Sequence, residues 1–368
     1  MISGWWLVDG GWKFETIQTA VKNQYYRIQK ALGGGFQRCD PLSESRGQVH
    51  KREYGNAKSG IMSLMKNVDM IPVVNLLTSP AWEDYRLLDS GNGRKLEQFG
   101  PYRLIRPEAE AVWSPMMDES EWQKASAEFI PSAEENGGHW KVLKKLPESW
   151  KIRYRDLTFK AMLSNSKQLG IFPEQACHWD WVTERIRSRK EPVKVLNLFG
   201  YTGAISMACG AAGAKVTHLD ASKKAVAWAK ENQALCRVPL DRIRWILDDA
   251  LKFVQREARR GSLYEGVILD PPKFGRGPKG EVWEFYKGFP ALLEACAGVL
   301  SEKADFMLVT AYAVKASSVT LYNALSEVNR KRNGSVSVGE VCNRDDHGRM
   351  LSMAVYGRWM ANTGEERK

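Results

Sequence analysis

The sequence of 368 residues contains no apolar run approaching the roughly 18 residues that a membrane span requires. Its six cysteines are scattered without a CxxC pair, and its five histidines show no metal-ligand spacing. This usage argues against a disulfide framework and predicts free thiols in a reducing compartment and no metal site. The first residues lack a basic leader and include Asp9 and Glu15. We therefore expect a cytoplasmic protein, with a mitochondrial presequence as the alternative.

Positive charge exceeds negative charge by a wide margin. Lysine and arginine number 54 against 43 acidic residues, which gives a formal net charge of +11. A balance of this size favours polyanionic partners, nucleic acid above all. A basic protein without such a partner stays open, because charge alone does not identify chemistry.

Composition divides the chain into three parts. Residues 1–72 contain a GGG run and the turn-rich segment DPLSESRGQ, and we expect a weakly ordered basic extension with an amphipathic helix at 15–32. Residues 73–165 carry short alternating segments broken by SGNG and FGP, which predicts a small β-rich domain. Eight of the 14 tryptophans precede residue 151. They fit the core of that domain better than a base-stacking surface.

Residues 166–368 alternate apolar strands with helices. Strands are expected at VKVLNLF, AKVTHLD, IRWIL, YEGVILD and DFMLVTAY, with Ser222 capping the second helix and Asp248 or Asp249 the third. A helix over 281–300 precedes the fifth strand, and a helix over 317–327 leads to a final antiparallel pair. This succession predicts a Rossmann-like, doubly wound α/β sheet of seven strands, with its ligand site at the carboxyl ends of the strands.

The first two strand ends carry a glycine-rich turn and a carboxylate. In the turn NLFGYTG, Gly200 and Gly203 allow close backbone approach to a ligand at a helix N-terminus. The turn is not GxGxxG. Asp220 ends the second strand, where a carboxylate can accept both hydroxyls of a ribose. The competing interpretations are an ordinary tight turn and a helix-terminal acid.

The third and fourth strand ends add acidic motifs. Asp248 and Asp249 begin the third helix, and we favour Asp249 as the contact to an adenine amino group, with helix capping as the alternative. Asp270-Pro-Pro-Lys-Phe274 follows the fourth strand. Its two prolines fix the backbone and would direct the Asp270 carboxylate and a proline carbonyl into the crevice. This acceptor pair suits a planar N–H group.

These four motifs resemble motifs I to IV of class I S-adenosylmethionine (SAM) dependent methyltransferases. The closer resemblance is to the bacterial group that contains the large-subunit ribosomal-RNA cytosine-C5 methyltransferases, within a subgroup that carries the DPPKFGRG segment. It extends over about residues 75–360 and includes GIFPEQACHWDW at 170–181, which in that group packs over the cofactor.

The resemblance implies SAM as the cofactor and assigns its contacts residue by residue. The implied cofactor-binding residues are Phe172, Gln175, Asn197, Phe199, Gly200, Tyr201, Thr202, Gly203, Asp220, Ala221, Ser222, Asp249 and Ala250. Among these, Asp220 would take the ribose and Asp249 the adenine amino group. The implied catalytic residues, which would face the methyl acceptor, are Asp270, Pro271, Pro272, Lys273 and Phe274.

One departure from that group bears on the reaction. Methylation at cytosine C5 requires a thiolate that first adds to the ring, and relatives that perform it carry a cysteine just after strand five. This sequence has Thr310-Ala-Tyr-Ala there, and Cys177 is the plausible substitute. We therefore expect a nitrogen or another non-C5 target, with C5 chemistry through Cys177 as the alternative.

The expected function is SAM-dependent methylation of RNA at a base, with ribosomal RNA as the partner that the resemblance implies. The basic stretch 273–279 is the segment best placed for a mobile lid that contacts phosphates, with a plain solvated loop as the alternative. A protein or small-molecule methyltransferase is an alternative within the same chemistry. From other classes, a nicotinamide-dependent oxidoreductase and an inactive RNA-binding module stay open.

Overall fold

The computed structural model describes residues 3–8, 11–16, 72–132 and 137–362. The chain divides into two compact units, Met1–Met70 and Ile71–Lys368. In the first unit, strands β1 (Ser3–Val8) and β2 (Gly11–Thr16) pair as an antiparallel hairpin. Beyond the end of β2, the helix expected at 15–32 lies outside the described residues, and the weakly ordered extension stays a prediction.

The second unit contains a five-stranded sheet, a short helix and a further hairpin before residue 165. The sheet consists of β4 (Tyr85–Gly91), β5 (Arg94–Phe99), β6 (Tyr102–Pro107), β7 (Ala127–Pro131) and β8 (Gly138–Val142). Helix α1 is Glu119–Trp122, and the hairpin is β9 (Trp150–Tyr154) with β10 (Leu157–Ala161). Trp82, Trp122 and Trp150 are buried here, in agreement with the core interpretation, whereas Trp113 and Trp140 are half-buried.

The rest of the second unit is organised around a mixed sheet. In spatial order its strands are β13 (Ile243–Leu247), β12 (Lys215–Asp220), β11 (Lys194–Leu198), β14 (Gly266–Leu269), β17 (Phe306–Ala311), β19 (Met350–Ala361), β18 (Gly334–Arg344) and β3 (Val74–Thr78). The first five run parallel, and β18 and β19 form an antiparallel pair beside β17. This order confirms the expected doubly wound α/β fold.

Both faces of the central sheet are buried. Val195 and Ile268 belong to the hydrophobic core on one face, whereas Leu196, Leu198 and Leu269 belong to the core on the other. Side chains alternate across a strand, so consecutive apolar residues serve opposite faces, and such strands appear in the sequence as continuous apolar runs. The acidic residues Asp220, Asp248 and Asp270 stand at the carboxyl ends of three of these strands.

Helices cover the two faces and follow the predicted order. They are α2 (Ala176–Ser188), α3 (Ala204–Ala211), α4 (Lys223–Leu235), α5 (Ala250–Arg259), α6 (Phe285–Gly298) and α7 (Ser318–Arg332). The two predicted caps are confirmed, since Ser222 and Asp249 accept from the third backbone N–H that follows each. None of the helices in the described ranges is long and apolar enough to cross a membrane.

Two element boundaries and the number of strands in the sheet differ from expectation. Helix α6 begins at Phe285, four residues later than expected, because β16 (Val282–Glu284) pairs with β15 (Phe274–Arg276). Helix α7 continues five residues beyond the expected end at 327. An eighth strand, β3, pairs in parallel with β18, where seven strands were expected. The domain boundaries at 72/73 and 165/166 stay predictions.

Candidate active site

Five parallel strands end at one edge of the central sheet, and a cleft opens there. Its outer chamber has a volume of about 450 Å³ and lies over the ends of β12, β13 and β14. Its inner chamber is smaller, about 50 Å³, and lies beside the turn after β11. The two chambers share Phe172, Phe199, Tyr201 and Asp270 in their walls, so they adjoin as parts of one cleft.

Most of the site residues predicted from the sequence line this cleft. Those in the inner chamber alone are Gln175, Asn197, Gly200, Thr202 and Gly203. Those in the outer chamber alone are Asp220, Ala221, Ser222, Asp249, Ala250, Pro271 and Pro272. Lys273 and Phe274 line neither chamber.

The turn after β11 has a strained backbone. Phe199, Tyr201 and Gly203 have φ angles of 56°, 50° and 82°, in the left-handed region that non-glycine residues seldom adopt. The Tyr201 backbone N–H donates to Asp220 Oδ2 over 2.8 Å, which holds the turn against the end of β12. Strain of this kind concentrates at ligand sites, where surrounding contacts fix the geometry.

A buried polar network supports the same turn. Asn197 Nδ2 donates to Ser206 Oγ over 2.8 Å, and Ser206 Oγ lies 3.0 Å from His218 Nδ1. Burial lowers the pKa of His218 to about 3, so its ring is neutral at ordinary pH. A Cβ on Gly200 would lie 2.3 Å from His218 Cε1, so a larger residue at this position would displace the turn.

Asp220 lines the outer chamber, and its carboxylate can accept hydrogen bonds beyond those it receives from the backbone. Its Oδ2 accepts from Tyr201 N, and its Oδ1 accepts from Ser222 N over 2.7 Å. A carboxylate has about four lone-pair sites, so it can also accept from a ligand. Partial burial raises the pKa of Asp220, and the backbone hydrogen bonds from Ser222 and Tyr201 counteract that rise.

The two acids after β13 are held differently. Asp249 caps α5 by accepting from Lys252 N over 2.9 Å. Asp248 Oδ1 accepts from Asp249 N over 2.8 Å, and its other oxygen pairs with the Arg256 guanidinium. Both residues line the outer chamber. Because Asp248 is already neutralised by Arg256, Asp249 is the better placed of the two to accept from a ligand.

Asp270 lies where the two chambers meet and is engaged by a neighbouring strand end. Thr310 Oγ1 donates to its Oδ1 over 2.6 Å, and Gln175 Nε2 donates to Thr310 Oγ1 over 3.3 Å. Burial raises the pKa of Asp270 to about 7, the Thr310 hydrogen bond opposes this, and the charge of Glu174 adds to it. No cation pairs with this carboxylate within the described ranges. It is therefore suited to gain and lose a proton near neutral pH.

Of the residues that directly follow Asp270, the two prolines line the outer chamber, whereas Lys273 and Phe274 do not. The Pro272 carbonyl already accepts from Trp283 Nε1 over 2.7 Å, which makes the Pro271 carbonyl the better candidate acceptor for a ligand. Phe274 is 58% exposed, with Lys273 Nζ 5.4 Å from its ring centroid. The stretch 273–279 contains β15 and the start of the turn that leads to β16, and its role as a mobile lid stays a prediction.

Several residues in the cleft wall were not predicted from the sequence, among them Tyr312, Trp283 and Gln168. Tyr312 lies 5.2 Å from Phe172 between ring centroids, and Trp283 lies 5.1 Å from Phe199. Gln168 is positioned by a residue of β6, since Arg106 Nη1 donates a hydrogen bond to its Oε1 over 3.1 Å. Of these three, only Tyr312 could have been found from the local sequence, because it comes directly after the fifth parallel strand.

Cys177 lies outside both chambers. Its thiol donates to the Glu174 carbonyl over 3.4 Å, and burial raises its pKa to about 12. A thiol with this pKa is almost entirely protonated at neutral pH and is a weak nucleophile. No cluster of three or more metal-ligating side chains occurs in the part of the chain that the structure describes.

Comparison with known proteins identifies the family. A family model described as S-adenosylmethionine-dependent methyltransferase matches residues 134–318, half of the chain. A SAM-dependent methyltransferase from Agrobacterium tumefaciens is 43% identical, with a TM-score of 0.76 over 79% of this chain and 94% of that one. SMU.776, solved in complex with SAH, has a TM-score of 0.59 at 15% identity over 87% of this chain and 84% of its own, which shows a shared fold alone.

Curated relatives match over shorter stretches. The ribosomal RNA large subunit methyltransferase K/L of Shewanella sp. (strain ANA-3) is 32% identical over 33% of this chain and 17% of its own length. The ribosomal RNA large subunit methyltransferase I of Shigella flexneri serotype 5b is 30% identical over 27% of this chain and 26% of its own. The chain thus spans about a quarter or less of these two relatives.

The family match, the solved relative and the fold agree with the cleft at the strand ends. They favour methyl transfer over the nicotinamide-dependent alternative. The chain belongs to the S-adenosylmethionine-dependent methyltransferase family, and S-adenosylmethionine is its cofactor.

Proposed function

We propose that this protein methylates RNA of the ribosomal type, at a base nitrogen or another atom that needs no covalent attack on the ring. The observation that carries the choice of atom is the position of Asp270 between the two chambers, without a cysteine in either wall. Nitrogen nucleophiles need a proton acceptor, whereas cytosine C5 needs a thiolate.

The cleft suits SAM in shape and in charge. The inner chamber, beside the strained turn and the N-terminus of α3, would hold the methionine part. The outer chamber would hold the adenosine, with the ribose hydroxyls on Asp220 and the adenine amino group near Asp249. Two carboxylates near a sulfonium cation also complement its charge. Phe172 and Tyr201, whose ring centroids are 5.7 Å apart, would close over the cofactor and exclude water.

When bound, SAM supplies an electrophilic methyl group, and the chain has to align the acceptor and remove a proton. Alignment and exclusion of water account for much of the rate in such in-line transfers. Asp270 would accept the proton that the methylated atom loses, and Thr310 holds the receiving carboxylate in place. The Pro271 carbonyl would orient the acceptor's N–H group.

RNA is favoured as the substrate by charge and by the relatives. The chain carries a net charge of +11, and relatives that it partly matches are ribosomal RNA large subunit methyltransferases. The test is transfer of labelled methyl from SAM to ribosomal RNA from cells lacking this protein, followed by mass mapping of nucleosides. We expect one new methylated base. Transfer to protein or to small molecules alone would refute the RNA assignment, and no transfer at all would indicate an inactive module.

Cys177→Ser is expected to retain at least half of the wild-type kcat. The thiol is outside the cleft, and its raised pKa keeps it protonated. Methyl-transfer rates on the same RNA would measure the effect, with the buried Cys209→Ser as a control for structural loss. A stable covalent RNA adduct in the wild type that disappears in Cys177→Ser would restore cytosine C5 chemistry.

A further inference from the structure

The β15–β16 hairpin presents an apolar and basic surface next to the mouth of the cleft. Phe274 is paired with Glu284, and Arg276 with Val282, so these four side chains share one face of the hairpin. Phe274 is 58% exposed and Val282 76% exposed. We name the face formed by Phe274, Arg276 and Val282 the hairpin surface. A second exposed aromatic residue, Tyr286, follows at the start of α6.

The opposite face fixes the hairpin to the active site. Trp283 is buried, lies 5.1 Å from Phe199 between ring centroids and donates to the Pro272 carbonyl. A Cβ on Gly288 would lie 2.6 Å from the Trp283 ring, so glycine there makes room for the indole. The hairpin surface therefore has a set position relative to Asp270. Phe274 is four positions after Asp270, which limits the distance between their Cα atoms to about 14 Å.

The charges on the hairpin favour an anionic partner. Its two glutamates are neutralised by lysines, Glu281 by Lys252 over 2.8 Å and Glu284 by Lys287 over 2.5 Å. Arg276 and Lys279 make no ion pair within the described ranges. Arg276 also lines the outer chamber, so a ligand extending from the cleft towards the hairpin would pass this cation.

We propose that the hairpin surface stacks a nucleobase next to the methylated nucleotide, with Arg276 and Lys279 on the neighbouring phosphates. This inference rests on the proposed RNA substrate and adds a flanking-base site to it. An exposed aromatic ring next to unpaired cations is the combination that binds single-stranded nucleic acid. Because Phe274 lies outside the cleft, it would contact a flanking base and not the base that enters it.

The test is anisotropy of a fluorescein-labelled single-stranded oligouridine RNA, with the full chain saturated with SAH. Phe274→Ala should weaken binding roughly 5- to 150-fold. Phe274→Leu should weaken it nearly as much, although it keeps apolar area, and Phe274→Trp should retain it. Leu240→Ala is the matched control, because Leu240 is 83% exposed and precedes β13 at the opposite end of the sheet. Arg276→Ala and Lys279→Ala should each reduce the salt slope by about 0.7.

The outcomes separate the two proposals. Wild-type binding that falls steeply between about 50 and 200 mM salt supports the RNA substrate, and an absence of binding overturns both proposals. Wild-type binding with unchanged affinity in Phe274→Ala overturns the flanking-base site alone. Loss of binding to phosphatidylserine vesicles in Phe274→Ala, with RNA affinity intact, would make the hairpin surface a membrane contact and would also overturn it.

Discussion

Asp270→Asn is expected to lower kcat roughly 100- to 10,000-fold, the usual contribution of a positioned general base. The amide keeps the shape of the carboxylate and its hydrogen bond to Thr310 but cannot accept the proton. Affinity for SAM should change less than about threefold, because Asp270 is assigned to the methyl acceptor. Single-turnover methyl transfer and calorimetry with SAH measure the two effects separately. A collapse of SAH affinity would show that Asp270 is a cofactor residue.

The pH dependence of kcat/KM in the wild-type protein tests the role of Asp270 as the general base without removing its carboxylate. A general base must be ionised, so kcat/KM should rise about tenfold per pH unit below the pKa of Asp270, which is about 7, and level off above it. Thr310→Val removes the hydrogen bond that opposes the rise in pKa. Its profile should therefore shift to higher pH. An unshifted profile would mean that another group titrates.

Stability provides a control for the Asp270 variant. The folded-state pKa of Asp270 is raised from 3.8 to about 7, so its contribution to stability is complete below about pH 4 and is lost as the pH rises through about 7. Asparagine has no such charge to bury. Thermal unfolding of Asp270→Asn should thus show equal or greater stability than wild type above pH 7, which would separate lost catalysis from lost folding.

Asp220→Ala is expected to weaken binding of SAM and SAH about 10- to 100-fold. The carboxylate can accept further hydrogen bonds beside those from the backbone, and the loss of one charge-assisted bond to a ribose hydroxyl, roughly 1.5–3 kcal/mol, corresponds to about this factor. The variant also leaves the Tyr201 and Ser222 N–H groups without their acceptor. Asp220→Asn, which keeps an acceptor for one of them, should lose less affinity.

Calorimetric titration with SAH measures this loss. Asp241→Ala is the matched control, because the Asp241 carboxylate is 70% exposed and pairs with Lys215 at the start of β12, away from the cleft. Its SAH affinity should equal that of wild type. An Asp220→Ala affinity equal to that of wild type would remove the ribose assignment.

The residues at the strand ends could be predicted from the sequence, because short local patterns mark where each strand ends. Asp220, Asp249 and Asp270 each follow an apolar strand in a parallel succession, and parallel strands present their carboxyl ends at one edge. Their helix caps and glycine turns are encoded within a few residues. The predicted residues therefore make up half of the cleft wall.

Contacts across long separations were not predictable in the same way. Trp283 reaches the Pro272 carbonyl because of a hairpin whose register depends on tertiary packing. Strand β3 pairs with β18 although the two are far apart in sequence. Lys273 and Phe274 share a motif with Asp270, yet the chain turns into β15 after Pro272 and carries both away from the chambers. Local patterns do not encode that turn.

The most direct measurement is a crystal structure of the chain grown with SAH. Density is expected over the ends of β11 to β14, with the ribose hydroxyls within hydrogen-bond reach of Asp220, the adenine beside Asp249 and the sulfur directed towards Asp270. Clear density for SAH at any other place, with an empty cleft, would contradict the account.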